Sequence, residues 1–110
     1  MGFKAAMYRK NMSTVPIYPP LDGSLNLSGL TDFNAQHNPS HPAFVYSYAP
    51  GSLTEVSFFE YGRATHRAAQ AVRPGRVGVD GEVVAVIANV DTLLYSAIFG
   101  GMIRAGVVVR

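Results

Sequence analysis

Two histidines four residues apart, His37 and His41, are the first side chains in this sequence that could do chemistry, because imidazoles at that spacing on one helix face can share a metal ion. Pro39 and Pro42 break the continuous helix that such a pair needs, and no cysteine or carboxylate cluster completes a ligand set. Asp22, Asp32, Asp80 and Asp91 each stand alone at expected turns or caps, where short carboxylates accept bonds from backbone amides rather than exchange protons with a substrate. Gly78-Val79-Asp80-Gly81 precedes an expected strand, whereas phosphate and dinucleotide loops follow one. The sequence holds no Walker loop, no Gly-x-Gly-x-x-Gly loop and no Gly-x-Ser-x-Gly elbow. With no cysteine at all, disulfides, thiolate zinc sites and cysteine nucleophiles are excluded together.

The elements that would position these residues are legible in part. Residues 1–28 carry Pro16, Pro19, Pro20 and Gly23 among polar residues, which predicts an extended or disordered leader. Leu30 to His37 suits a short helix with Ser28 as N-cap and Leu30, Phe33 and His37 on one side, stopped by Pro39. Ala43 to Tyr48 is a β-rich run that places Phe44, Tyr46 and Tyr48 on one face, and Leu53 to Val56 can pair with it as a hairpin across Ala49-Pro50-Gly51-Ser52.

Ser57-Phe58-Phe59-Glu60 reads as a capping box opening a helix, with Tyr61, Ala64, Ala68, Ala71 and Val72 on its apolar stripe. Arg63, His66, Arg67 and Gln70 fall outside that stripe as a solvated face, and Pro74-Gly75 ends the helix. A glycine-containing turn, Arg76 to Gly81, leads into the apolar run Val83 to Ala88, which suits a strand covered on both faces in a parallel sheet. Asn89 or Asp91 caps a buried helix from Thr92 to Ala105. Gly100-Gly101 inside it costs about 1 kcal/mol per glycine relative to alanine, which implies close packing there. Gly106 fits the helix-ending position that favours positive φ, and Val107 to Val109 begins another strand.

At 110 residues the chain is at most one small domain, below the usual size of an α/β enzyme. A formal net charge of +2, with scattered basic residues and no aromatic stacking platform, gives no footprint for nucleic acid. Met1 to Lys10 lacks the apolar core of a secretory signal, which points to the cytoplasm. Leu93 to Ile103 is shorter than the roughly 20 apolar residues needed to span a bilayer, so no membrane span is expected.

Three segments carry a resemblance in their wording, order and spacing. Val56-Ser57-Phe58-Phe59-Glu60-Tyr61 resembles the Leu-(Thr/Ser)-Tyr-x-Glu-Leu motif near the start of adenylate-forming enzymes. Gly81-Glu82-Val83-Val84-Ala85-Val86 resembles their Gly-Asp-x-Val-Ala-Ile strand, with glutamate in place of aspartate. Ile103-Arg104-Ala105-Gly106-Val107-Val108-Val109 resembles the Leu-Lys-Ala-Gly-x-x-Tyr motif that closes the next helix. The resemblance covers Pro42 to Val109, and the words Pro19-Pro20-Leu21-Asp22-Gly23-Ser24-Leu25 and His41-Pro42-Ala43-Phe44-Val45-Tyr46 look like the fungal, peptide-synthetase-like reductase branch.

That resemblance implies an α/β fold in which this chain is the incomplete amino-terminal part of an adenylate-forming domain, a strand pair followed by helix–strand–helix units, with 1–28 as leader and 29–110 as the truncated domain. It implies a parent enzyme, an AMP-dependent ligase related to acyl-CoA synthetases, that uses ATP and magnesium to convert a carboxylic acid to an acyl-adenylate. The phosphate loop with its lysine, the adenine-binding aromatic segment, the ribose-binding aspartate and the catalytic lysine lie downstream in family members and have no counterpart among these 110 residues. No catalytic, cofactor-binding or metal residue is therefore expected in this chain, which on its own is expected to be inactive and to have the remainder of the adenylation domain as its partner. Rival readings are a standalone interaction module that docks through an unpaired sheet edge, and a nonfunctional truncated product.

Overall fold

The structure is a computed structural model that describes residues 15–47 and 49–109. The expected leader conformation over residues 1–14 and the place of Tyr48 on its strand face lie outside the described residues. Two compact units divide the chain, the first ending at Tyr61 and the second beginning at Gly62.

In the first unit, helix α1 spans Leu27–His37, and Asn26 rather than Ser28 is its N-cap, its side chain accepting from Gly29 N at 2.7 Å. Asparagine is as strong a cap as serine and here reaches the third amide of the helix, so the helix starts three residues earlier than Leu30. Asp32 thus lies within a helix and not at a turn or cap. Phe33 and His37, one turn apart, bring their rings to 4.3 Å.

Strands β1 (Pro42–Tyr46) and β2 (Thr54–Ser57) form the expected antiparallel hairpin. Phe44 lies opposite Val56, Val45 opposite Glu55 and Tyr46 opposite Thr54, while Pro42 pairs with Ser57 across a bulge at Ala43. That bulge carries β2 one residue past its expected end. Phe44 and Tyr46 are half-buried and Val45 is exposed, as a two-residue alternation requires, and Phe44 packs against Tyr61 with centroids 5.1 Å apart.

Helix α2 (Phe58–Val72) opens on the predicted capping box. Glu60 N donates to Ser57 Oγ at 3.2 Å while Ser57 N donates to Glu60 Oε1 at 3.1 Å, so each residue satisfies an amide of the other. Two further first-turn amides find backbone carbonyls, Phe58 N on His41 O at 2.9 Å and Phe59 N on Pro39 O at 3.1 Å, so the turn before β1 serves as an additional cap.

In the second unit, the buried stripe of α2 is centred on Gly62 and Thr65, and Ala71, placed on it by the sequence, is exposed. Thr65 could join the stripe because its hydroxyl donates to Gly62 O at 2.8 Å within its own helix, leaving a methyl group for packing. Arg63, His66, Arg67 and Gln70 form the expected exposed face. After a 3-10 turn (Pro74–Arg76), a loop leads to β3 (Val83–Val84), helix α3 (Thr92–Arg104) and β4 (Val108–Val109), which pairs with β3 in parallel.

The expected strand Val83 to Ala88 is shortened to its first two residues, and it is not covered on both faces: Ile87 is 98% exposed. Strand geometry persists only where a ladder partner exists, and β4 supplies one for Val83 and Val84 alone. Asp91, not Asn89, caps α3 by accepting from Leu94 N at 2.8 Å. The helix is buried on one face only, through Ala97, Gly101 and Met102, and not all round as its composition suggests. Leu94, Tyr95 and Phe99 are exposed, with the last two rings stacked at 6.5 Å. Gly101 meets α2 so closely that an added Cβ would fall 2.7 Å from Ala69 N and 2.9 Å from the Ala68 carbonyl carbon.

Candidate functional site

In the first unit, His37 and His41 do line one recess, together with Val15, Pro16, Ile17 and Asn38. Each imidazole is occupied by packing: His37 lies against Phe33, and His41 stacks on Phe58 at 5.9 Å with Nδ1 3.2 Å from Pro42 O. Among the described residues no group of three or more His, Asp or Glu side chains comes together to hold a metal ion. The polar centre of the recess is Asn38, only 8% exposed.

In the second unit the densest polar constellation surrounds Arg73, which the sequence left among scattered surface cations. Its side chain is 8% exposed, and its guanidinium spreads over four acceptors: Nε donates to Val77 O (3.1 Å), Nη2 to Gly78 O (2.8 Å), and Nη1 to both Asp80 Oδ1 (2.6 Å) and Ala105 O (2.7 Å). Arg76 donates to Arg104 O at 2.9 Å and stands 3.6 Å from Asp80. Two cations thus meet the C-terminal end of α3, where carbonyls lack helical partners and the helix dipole is negative. Gly81 N reaches Gly106 O at 2.7 Å and Val108 N reaches Glu82 O at 2.8 Å, which sets the register of β3 on β4.

Gly106 adopts the predicted positive φ, +77°, and a Cβ there would lie 2.9 Å from Arg76 Nη2. The signal that could have found the constellation is an arginine at a helix end, followed seven residues later by an aspartate in a glycine-rich loop. It needs the end of α3 to become visible, and that end is 32 residues away in sequence.

The aspartates divide. Asp22 accepts from Ser24 N at 3.0 Å, and hydrogen bonds from Ser24 hold its carboxyl below the ordinary value, as expected of a turn. Asp91 is a helix cap. Asp80 departs from the expectation, because it serves an arginine and not a backbone amide: the Arg73 hydrogen bond and charge, then the Arg76 charge, hold its carboxyl low. What the constellation does is mechanical, since it fastens a loop and a helix end to one planar cation.

No protein-family model and no solved structure matches the chain. Relatives do. The chain is 51% identical over 92 residues to the adenylate-forming reductase Nps9 of Serpula lacrymans var. lacrymans (strain S7.9), a match that covers 84% of this chain and 8% of that protein. It is 45% identical over 91 residues to Nps11 of the same fungus, and 33% identical over 98 residues to Nps10 of Heterobasidion annosum, both also named adenylate-forming reductases. The chain belongs to the adenylate-forming superfamily. Its relatives there are fungal adenylate-forming reductases, and it corresponds to a segment spanning 8% of the length of Nps9 and Nps11 and 9% of Nps10.

Proposed function

We propose that this chain is the amino-terminal part of an AMP-forming enzyme that activates a carboxylic acid with ATP to an acyl-adenylate, and that the segment itself performs no adenylation. The observation that carries this reading is the 51% identity over 92 residues, a stretch longer than Pro42 to Val109, with a protein named an adenylate-forming reductase. The motif positions support the division of labour. Ser57 and Glu60 close a helix cap, Val83 and Val84 form a ladder, and Gly106 ends a helix, so the matched residues build architecture.

Acyl-adenylate chemistry needs groups that hold a triphosphate and stabilise charge at the reacting phosphorus, and positioning with electrostatics supplies most of its rate. In this reading ATP and magnesium belong to the whole enzyme and no cofactor binds this segment. The partner is the remainder of the adenylation domain, in the cytoplasm, without nucleic acid or membrane. Among the described residues no helix is long and apolar enough to cross a membrane. The apolar side chains left open at Val83, Leu94, Tyr95, Phe99 and Val108 are the surface that such a remainder would cover.

ATP–pyrophosphate exchange tests this directly. The protein containing the whole domain should show acid-dependent exchange, and the 110-residue chain should match a protein-free blank. Exchange by the chain alone overturns the inactivity of the segment, and a whole protein that exchanges with no carboxylic acid overturns the parent reaction.

A further inference from the structure

We infer that the Asn38 side chain is a clasp that holds residues 15–20 as a fixed strap over the C-terminal turn of α1. The amide of Asn38 takes both polar groups of one backbone residue: Oδ1 accepts from Ile17 N at 2.7 Å and Nδ2 donates to Ile17 O at 2.7 Å. This is the pair of bonds that a neighbouring strand would offer. The remaining Nδ2 proton goes to Asn34 Oδ1 at 3.1 Å, so the clasp is supported from behind by the same helix. Its own backbone is fixed by the bond from Asn38 N to Asn34 O at 2.8 Å, and the residue as a whole is more than nine-tenths buried.

The sequence of the strap shows why one clasp is enough. In Val15-Pro16-Ile17-Tyr18-Pro19-Pro20 the rings fix φ at Pro16, Pro19 and Pro20, and the residues before a proline, Val15, Tyr18 and Pro19, are driven to extended backbone. Ile17 is the one residue of the run that neither is a proline nor precedes one. The clasp closes on that residue. Covalent restraint and hydrogen bonding therefore divide the segment between them without overlap, and the strap stays fastened only while the last turn of α1 is formed. Val15 and Tyr18 are presented to solvent, 78% and 77% exposed.

Amide hydrogen exchange on the full chain, read by NMR, tests the clasp. In the unmodified protein the Ile17 amide should exchange at least about tenfold more slowly than that of its exposed neighbour Tyr18. The Asn38 side-chain protons should likewise exchange more slowly than those of the exposed Asn89. Asn38→Asp keeps size and one acceptor but sets a carboxylate oxygen against Ile17 O, so the protection of Ile17 should fall to the level of Tyr18 while the amides of α2 keep theirs. Equal exchange of Ile17 with Tyr18 and of Asn38 with Asn89 in the unmodified protein overturns the proposal without reference to any variant. Unchanged Ile17 protection in a folded Asn38→Asp protein also overturns it.

Discussion

Gly101→Ala sets two opposed effects against each other at one atom. Replacing a helical glycine with alanine gains about 1 kcal/mol of helix propensity, and in an open helix that gain would decide the outcome. In α3 the new methyl group points at α2, 2.7 Å from Ala69 N and 2.9 Å from the Ala68 carbonyl carbon. Both are backbone atoms of a packed helix and cannot turn aside as a flexible side chain would. Overpacking of a close-packed interior, with the backbone shifts it forces, costs about 1–3 kcal/mol. Two backbone atoms closer than 3.0 Å put this site in the upper part of that range, about 2–3 kcal/mol, so the net change is a loss of about 1–2 kcal/mol. Urea unfolding followed by far-UV circular dichroism measures it, and the corresponding drop in Tm is about 4–8 °C per kcal/mol for a domain of this size. A second substitution sharpens the argument. Ala68→Gly removes one methyl group facing Gly101 but leaves both backbone atoms in place, so the double variant should recover only part of the loss. Gly101→Ala with stability equal to or above the unmodified protein, or complete rescue by Ala68→Gly, refutes the close approach of the two helices.

Arg73→Lys keeps the charge but gives up the planar fork that reaches Val77, Gly78, Asp80 and Ala105 at once, and it leaves the Ala105 carbonyl buried without its donor. A loss of about 2–4 kcal/mol in urea unfolding is expected, and an unchanged midpoint would contradict the clamp. Asp80 has a folded-state pKa held below its ordinary 3.8 by Arg73, so the unfolded chain takes up that proton more readily. Its stabilisation is complete above the ordinary carboxylate range and fades as pH falls through the lowered value. Because the carboxylate is 72% exposed, the effect is small and screened by salt. Asp80→Asn should flatten the acid limb of a stability–pH series from about pH 4 downward, and an unaltered limb would show that other groups govern it.

The sequence reached those elements whose signals are local. The Ser57/Glu60 box, the Pro74-Gly75 stop and the positive φ of Gly106 depend on residues within one turn of each other, and all stand as read. It missed features in which a distant partner decides. Val83 to Ala88 has the composition of a full strand, yet ladder pairing limits it to two residues. Ala71 fits the apolar period but is exposed, while Thr65 is buried because an intrahelical bond hides its hydroxyl. Arg73 resembles any surface cation until the end of α3 arrives beside it. Pro39 and Pro42 keep the two histidines off a continuous helix, as read, whereas their place in one recess and their packing against Phe33 and Phe58 were not legible, since such ring contacts leave no periodic mark.

The strap over α1 also bears on the unfolded chain. Fixing an ordinary residue's backbone costs about 1–2 kcal/mol of conformational entropy. Between Val15 and Pro20 much of that freedom is already absent before folding begins, because the pyrrolidine rings confine the denatured ensemble as they confine the native state. Only Ile17 has its full share to lose, and two hydrogen bonds of about 1 kcal/mol each offset it. A segment with no helix, no strand and little buried surface can thus be held in place by a single asparagine.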